Sequence, residues 1–320
     1  MTNLLVKKFS SFAQIPAILS LYPFQSISFQ KLFADNFIKA ENLRLLGIYE
    51  GNSLVAIANF EIIANEAVFI GMKPVLGNQE LTDFGYIIIN KEFVTSEQKV
   101  SLIWQIIINY FKKESVRQIR LDYVRNDSLV YKIYSKLAVK QQVSPFINLP
   151  SCWDDYLGLL DRIKRKELKR KLKRLATQNY SFVFSAPVNH ENLEEFVRLH
   201  RLSDATKEKF MSADMKKFFL QMATAALLLP RAHLAFLRFN NTNVSSVLYF
   251  VTEDKQILLY NSGFDPQYGY YSVGLLLKAL MIKTSIESGL IVFDFLRGNE
   301  RYKYDLGAHD RILYQIKIKL

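Results

Sequence analysis

The sequence predicts an α+β protein built from two domains of similar size. Three observations predict it: a length of 320 residues, which exceeds one ordinary core, a meander of β-rich segments in each half, and a break between the halves at Pro150 and Ser151. Each meander is followed by a strand, a helix and a further strand. We therefore expect domains at residues 1–150 and 151–320, which repeat a fold but not a sequence.

The first half predicts a mixed sheet with flanking helices. Short β-rich runs alternate with turn residues such as Gly51 and Asn52, and apolar residues then recur at helical spacing around Trp104. The expected elements are strands over 43–49, 54–63 and 67–70, an apolar run over 86–89, a helix over 95–114, a strand over 119–124, a helix over 129–137 and a strand over 142–148.

The second half is expected to open with one long amphipathic helix, which carries leucines along one side. A hairpin loop of polar residues at 240–243 separates two of its strands, Pro230 ends a helix, and Gly289 ends the last helix. The expected elements are a helix over 154–178, a strand over 180–185, helices over 192–201 and 213–229, strands over 234–239, 244–251 and 256–263, a loop over 265–271, a helix over 272–288 and a strand over 290–296.

Composition excludes several classes of protein. Half of the residues are apolar, which excludes a disordered chain, and Cys152 is the only cysteine, which excludes an internal disulfide or a cysteine-based zinc cluster. Neither the four histidines nor the serines have the spacing of a metal site or a hydrolase nucleophile. No apolar run is long enough to cross a bilayer, and no export signal is recognised, so we expect a cytoplasmic protein, with contact at a membrane surface as an alternative.

The charge favours an anionic partner. Lys and Arg outnumber Asp and Glu by 42 to 30, and residues 162–174 alone hold nine basic residues and one acid. This basic segment has three open interpretations. It is a solvated helix face over packed leucines, a site for an acidic acceptor such as a phosphorylated sugar or lipid, or a surface for RNA or a membrane.

The segment from Leu258 to Leu277 is a candidate phosphate site. An apolar strand leads through a loop rich in glycine and tyrosine into a helix whose first turn holds Gly274. The first amides of a helix lack intrahelical partners and carry partial positive charge, so they bind phosphate without a basic side chain. The alternative is an ordinary connection in which the glycines serve only the turn.

This second half resembles the CoA-binding unit of the GNAT N-acetyltransferase superfamily. The segment FDFLRGNERYKYDLG, from Phe293 to Gly307, is similar to a signature of the CelD-like acetyltransferases, which are related to the Fem-type peptidoglycan aminoacyl ligases. The first half shares only the order of elements and the region of Asp83 and Phe84. The start of the second half also resembles that branch, through Trp153, Tyr156, Leu157, Arg165, Lys169, Arg170 and Arg174.

The resemblance implies tandem GNAT-like domains, of which the second is an N- or O-acyltransferase. Its donor would be acetyl-CoA or another acyl-CoA, no metal would be needed, and the acceptor would be a sugar, a lipid or a polysaccharide precursor that attacks the thioester directly. The loop departs from the usual Q/R-x-x-G-x-G/A form, because Tyr270 and Ser272 stand among its glycines. A Fem-type ligase that uses aminoacyl-tRNA, and a non-catalytic anion-binding module, are the alternatives. The long helical hairpin of the Fem-type ligases is not recognised.

The resemblance also implies the site residues. Backbone amides of the fourth strand would polarise the thioester, and side chains after the last strand would move protons; those same side chains could instead form a charge-paired structural network. The expected catalytic residues are Asp294, Glu300, Tyr302 and Lys303. The expected cofactor-binding residues are Tyr260, Gly263, Gly269, Tyr271, Ser272, Val273 and Gly274. The expected substrate-binding residues are Arg297 and Tyr270.

Overall fold

The chain forms two compact units in the computed structural model. The first comprises Met1–Gln142 and Arg311–Leu320, and the second comprises Val143–Asp310. The last ten residues therefore pack with the first unit, whereas the sequence placed them with the second half. The domain limits 1–150 and 151–320 stay a prediction about which segments fold independently. The structure describes residues 4–16, 22–76, 80–90, 92–93, 96–225 and 232–320.

The first unit is a mixed sheet with helices, as the sequence predicts. Its meander over residues 43–69 forms where β-branched and aromatic runs are separated by short turns. The described elements are β1 (Leu4–Phe9), α1 (Ile27–Phe37), β2 (Leu43–Glu50), β3 (Ser53–Ile63), β4 (Glu66–Phe69), β5 (Ile88–Ile89), α2 (Glu97–Lys112), β6 (Gln118–Arg125), α3 (Leu129–Tyr134) and the start of β7 (Ala138–Asn148). The part of β7 from Val143 onwards belongs to the second unit.

Strand order in the first unit is β1-β2-β3-β4-β6-β13, where β13 (His309–Lys319) is the last strand of the chain. Strands β4 and β6 are parallel to each other. Every other pair of neighbouring strands in this order is antiparallel. The strand β13 and the helix α1 were not predicted. Ser96 caps α2, whose apolar face buries Trp104 and Phe111 in the core.

The second unit contains the segments with the candidate site. Its elements are α4 (Trp153–Leu159), α5 (Arg162–Leu175), β8 (Tyr180–Ala186), α6 (His190–Ser203), α7 (Ala205–Phe210), α8 (Ala213–Ala225), β9 (Ala232–Phe239), β10 (Thr242–Val251), β11 (Gln256–Phe264), α9 (Val273–Glu287), β12 (Val292–Asp294) and α10 (Arg301–Asp305). The expectation for residues 226–229, and the stop at Pro230, lie outside the described residues.

Its strand order is β7-β12-β11-β10-β9-β8. Strands β8 to β11 are antiparallel neighbours, β11 and β12 are parallel, and β12 is antiparallel to the end of β7. Helix α9 packs its apolar residues on this sheet, with Leu276, Leu277 and Ile282 fully buried. Burial of that apolar surface is the main stabilising contribution.

The single helix expected over 154–178 is wrong, because the structure has two helices there. The chain is extended at Leu160 and Asp161, and the Asp161 carboxylate caps α5 by accepting a hydrogen bond from the Lys164 amide at 2.9 Å. A capping aspartate competes with helix continuation, which explains the break. The loop expected over 265–271 contains a short 3-10 helix, Pro266–Tyr271.

None of the helices in the described part of the chain combines the length and the apolar character that crossing a bilayer requires.

Candidate functional site

Two parallel strands diverge in the second unit. Strands β11 and β12 pair only from Gln256 to Leu258 and from Val292 to Asp294. Beyond this point β11 continues to Phe264 alongside β10, while the chain after β12 follows β7, with hydrogen bonds from Phe295 N to Pro145 O (2.9 Å) and from Gly298 N to Val143 O (3.2 Å). The edge of β11 between Leu259 and Phe264 is thereby released from its neighbour. Such a divergence is a place where a ligand can pair with backbone groups.

Helix α9 starts beside the end of β11, and its first turn has no side-chain cap. Ser272 has left-handed backbone angles (φ 55°, ψ 40°), and its hydroxyl does not cap the helix, while its carbonyl accepts from the amides of Leu275 and Leu276. Val273 is buried and Gly274 is half-buried. The amides of Val273 and Gly274 precede the first intrahelical bonds, so they have the geometry of an anion site.

The glycine of this turn is in tight contact with its neighbour. A Cβ added at Gly274 would lie 3.1 Å from Cδ1 of Phe264, whereas one at Gly269 would meet nothing within 4 Å. Gly274 therefore allows α9 to approach β11 closely, and Gly269 has no comparable steric requirement.

The loop tyrosines divide into two groups. Tyr268 and Tyr271 pack edge-on against Phe239, at centroid distances of 5.5 and 5.3 Å, so their rings belong to the core of the unit. Tyr270 is 69% exposed, and the guanidinium of Arg174 lies 4.3 Å from its ring centroid. Of these rings, only that of Tyr270 is presented to solvent as the substrate-binding prediction requires.

The basic helix α5 is next to this loop. An open depression of about 430 Å³ lies between α5, the first turn of α9 and α10; Lys164, Lys171, Leu275, Arg301 and Asp305 are among its lining residues. Each cation in the depression has an acidic partner within 4 Å, such as Asp305 for Arg301. The depression is thus close to neutral in charge. It nevertheless leaves space beside the first turn of α9.

Two predicted cofactor residues on β11 are occupied by contacts within the unit. The ring of Tyr260 stacks on Phe219 at 6.1 Å. A Cβ at Gly263 would lie 2.3 Å from the amide nitrogen of His200, so this glycine is needed for α6 to cross β11. The carbonyl of Gly263 accepts from the Ser245 hydroxyl at 3.0 Å.

Asp294 and Lys303 support the segment that follows β12. Asp294 is fully buried, and its Oδ1 accepts from Ser144 Oγ (3.0 Å) and from the Leu296 amide (2.8 Å). Lys303 is 1% exposed and donates to the carbonyls of Leu296, Arg297 and Gly298 at 3.1, 2.7 and 3.1 Å. Leu296 and Gly298 both have positive φ, of 57° and 104°. Glycine adopts a positive φ readily, but Leu296 does not, so Lys303 holds an unfavourable backbone conformation at Leu296 in place.

Glu300 and Tyr302 lie at the same end of the unit. The Glu300 carboxylate is 2.9 Å from Nζ of Lys303, and its side chain is 57% exposed. Burial is the main cause that raises the pKa of the Tyr302 hydroxyl, and the charge of Glu300 raises it further. Tyr302 consequently stays protonated at neutral pH and is a hydrogen-bond donor. Arg297 is half-buried, and its carbonyl is one of the three that accept from Lys303.

Two lysines that the sequence analysis missed are close to this group. Nζ of Lys278, on α9, donates to the Gly274 carbonyl at 3.0 Å and lies 4.8 Å from the Tyr302 ring centroid. Nζ of Lys207, on α7, donates to the Ser262 carbonyl at 2.6 Å, on the released edge of β11. The available signal was a single lysine at 278 within the apolar run from Val273 to Ile282.

His200 contributes no charge near Lys207. It is 2% exposed, and Nδ1 has no hydrogen-bond partner among the described residues. Burial, together with the positive charge of Lys207, lowers the pKa of His200 to about 4, so the ring is neutral at physiological pH.

The fold and the diverging strands define the class: the chain has the α+β fold of tandem GNAT-like domains, each a mixed, mostly antiparallel sheet flanked by helices. Residues 162–304 match the family model described as an acetyltransferase (GNAT) domain. This segment contains β11, α9, β12 and most of α10, so the match to the GNAT domain model spans the candidate site. Its match to the CelD-like branch stays a prediction.

Solved structures support the fold at low sequence identity. FemX superposes with a TM-score of 0.60 at 11% identity, over 87% of this chain and 88% of that chain. The C-terminal domain of a putative lysylphosphatidylglycerol synthetase from Agrobacterium fabrum gives 0.59 at 12% identity, over 92% and 88%. A protein of unknown function from Bacteroides thetaiotaomicron gives 0.55 at 10%, over 92% and 90%. No curated protein matches the chain significantly. These likenesses concern the fold alone.

Proposed function

We propose that the second unit transfers an acyl group, most simply acetyl, from acyl-CoA to an amine or hydroxyl of a sugar, lipid or cell-envelope polysaccharide precursor. The observation that carries the proposal is the divergence of β11 and β12 beside the uncapped first turn of α9. The family match of residues 162–304 supports the same reaction class.

The donor would bind along the divergence. The amides of Val273 and Gly274 would hold its diphosphate, with Ser272 and Gly269 shaping the loop in front of them. The backbone of β11 between Tyr260 and Gly263 would pair with the donor's amide chain and polarise the thioester carbonyl once the Ser262 amide exchanges its hydrogen bond to the Asn261 side chain for one to the donor. The exposed Tyr270 and the half-buried Arg297 would contact the acceptor or the outer part of the donor.

In the transfer step, the acceptor nitrogen or oxygen attacks the thioester carbon, and the carbon–sulfur bond breaks. Glu300, which is partly exposed, would take the proton of the nucleophile, and the protonated Tyr302 would give its proton to the leaving thiolate. Tyr302 is then reprotonated from solvent. In this proposal Asp294 and Lys303 act by positioning residues 296–298.

Calorimetry with acetyl-CoA tests the proposal. We expect micromolar binding for the wild type, a decrease of at most a few-fold in Gly274→Ala, where Phe264 must shift slightly, and loss of binding in Gly274→Glu, which adds a negative charge at the helix end. Gly158→Glu is the control, because Gly158 is exposed in α4 with nothing within 4 Å of its Cβ position. Equal binding by wild type and Gly274→Glu would overturn the proposal.

A second candidate is a ligase that takes its acyl group from an aminoacyl-tRNA. It is favoured by α5, where Arg162, Lys166, Lys169, Arg170 and Lys173 are exposed next to the proposed donor site. Such a face binds RNA with a strong dependence on salt. Binding of tRNA that weakens about tenfold or more between 50 and 200 mM salt, without binding of acetyl-CoA, would favour this candidate or a non-catalytic anion-binding module. Aminoacyl transfer from charged tRNA would distinguish the ligase, which catalyses it, from the non-catalytic module, which does not.

A further inference from the structure

Lys278 is a buried cation in an apolar helix. It is 5% exposed, and α9 places it among fully buried residues such as Leu277 and Ala279. Its contacts are one carbonyl oxygen, that of Gly274, and the face of the Tyr302 ring. The hydrogen bonds and ion pairs of the described residues give it no carboxylate partner.

Such an arrangement is costly for the folded protein. A lysine is almost never fully buried without a counter-charge, because removing an ammonium group from water costs several kcal/mol that one carbonyl does not return. Burial, together with the charges of Lys207 and Lys303, lowers the pKa of Lys278 to about 7, although the charge of Glu300 acts in the opposite direction. An apolar residue of similar length would stabilise the fold better, so the lysine calls for a functional reason.

The charged groups around Lys278 show how much positive charge at this place has no acidic partner. Lys303 has a carboxylate partner, Glu300, at 2.9 Å. Lys207 is half-buried, donates to the Ser262 carbonyl and is within electrostatic range of Asp204 and Glu300. Within the described part of the chain, Lys278 is left as one cation without its own counter-charge. A singly charged ligand group matches that excess.

We infer that Lys278 and Lys207 bind a carboxylate of the substrate, carried either by the acyl part of the donor or by the acceptor. The carboxylate would accept hydrogen bonds from the two ammonium groups and lie near Tyr302, which faces Lys278. That the ligand is a substrate of acyl transfer rests on the proposed function, whereas the presence of an anion site at these lysines does not.

The site can be tested without any acyl donor. Thermal unfolding would be followed at pH 6.5 with 0 to 100 mM sodium acetate at constant ionic strength. Acetate is expected to raise the midpoint of the wild type by about 2 to 5 °C and to have little effect on Lys278→Met or Lys207→Met. Lys283→Met is the control, since Lys283 is on the same helix but exposed and paired with Glu287. A wild type that does not respond, or a Lys278→Met that responds equally, would overturn the inference.

A second experiment identifies which substrate carries the carboxylate. If it is the donor, succinyl-CoA binds the wild type at least tenfold more tightly than acetyl-CoA in calorimetry, and Lys278→Met removes the difference. If it is the acceptor, kcat/KM with acetyl-CoA is at least tenfold higher for glycine than for glycinamide, and the variant again removes the difference. Binding of acetyl-CoA with neither preference upholds the proposed function and refutes the carboxylate site. Absence of all CoA binding refutes the proposed function. The thermal unfolding experiment with acetate then still tests whether Lys278 and Lys207 form an anion site.

Discussion

Arg174 of the basic helix holds Tyr270 of the loop before α9 from two directions. Its Nη1 donates to the Tyr270 carbonyl at 2.7 Å, and its guanidinium lies over the Tyr270 ring at 4.3 Å. One residue of the basic segment is therefore engaged in shaping the proposed donor site. Part of the positive charge that the sequence displays thus has a local structural role.

We expect Arg174→Met to weaken acyl-CoA binding about three- to tenfold with little change in kcat, because the loop loses its hydrogen bond and its cation–π contact. Calorimetry and steady-state kinetics would measure the two effects. Lys173→Met is the matched control, since Lys173 is exposed on the same helix. Equal losses in the two variants would point to the general charge of α5 rather than to the contact with Tyr270.

Lys278 should make stability depend on pH. Its pKa is about 7 in the folded chain, and in the unfolded chain we take the ordinary lysine value of 10.5. Between these two pH values the unfolded chain therefore binds one proton more than the folded chain. The free energy of unfolding then rises with pH from about 7 towards 10, by at most about 1.4 kcal/mol per pH unit. Below pH 7 both states are protonated, and the full cost of the buried charge is present.

Denaturant unfolding of wild type and Lys278→Met at pH 6, 7, 8 and 9 would measure this effect. The variant is expected to be the more stable protein at pH 6, and its advantage should shrink as the pH rises. A difference between the two proteins that is constant across the series would show that Lys278 titrates normally.

Lys303→Met should destabilise the fold by about 2 to 4 kcal/mol, because three carbonyls lose their donor and the left-handed conformation of Leu296 is no longer held by the lysine. Turnover should fall at least tenfold where the variant folds. Glu300→Gln removes the carboxylate but leaves the three hydrogen bonds, so its stability should change by less than about 1 kcal/mol. Turnover of Lys303→Met at the wild-type rate would exclude Lys303 from the site.

Gly263→Ala is expected to lose about 1 to 3 kcal/mol of stability, because the new methyl group would overlap the backbone of His200 at 2.3 Å and force α6 away from β11. The comparison is Gly269→Ala, whose methyl group would enter open space. Chemical denaturation measures both. Similar stabilities of the two variants would mean that α6 adjusts without cost.

Sequence patterns predicted helices and strands well where the apolar residues follow a single spacing, either that of a helix or that of a strand. The meander of the first half and the strands over 232–264 follow β-rich runs between turns, and the start of α9 follows the loop that contains Gly269. The amphipathic pattern failed at 160–161, since leucines continue at helical spacing through a position where Asp161 caps a new helix. A local hydrogen bond there outweighed the periodicity.

Site residues were harder to predict than elements. The sequence singled out residues around Gly274 and Lys303, but it did not distinguish a residue that could face a ligand, such as Glu300, from one that supports the backbone, such as Lys303. That distinction depends on which side chains become buried. Lys278 and Lys207 are 71 positions apart in the chain, and no spacing rule joins them.

The sequence by itself determined that the chain folds as an α+β protein with a glycine-containing turn at the start of α9, because local periodicity and turn chemistry depend on near neighbours. Tertiary structure alone decided that β11 and β12 separate after Leu258, that β13 joins the first unit, and that Lys278, which has no carboxylate partner among the described residues, is buried beside Tyr302. These features arise from contacts between distant segments, whose burial and electrostatics set the chemistry of the site.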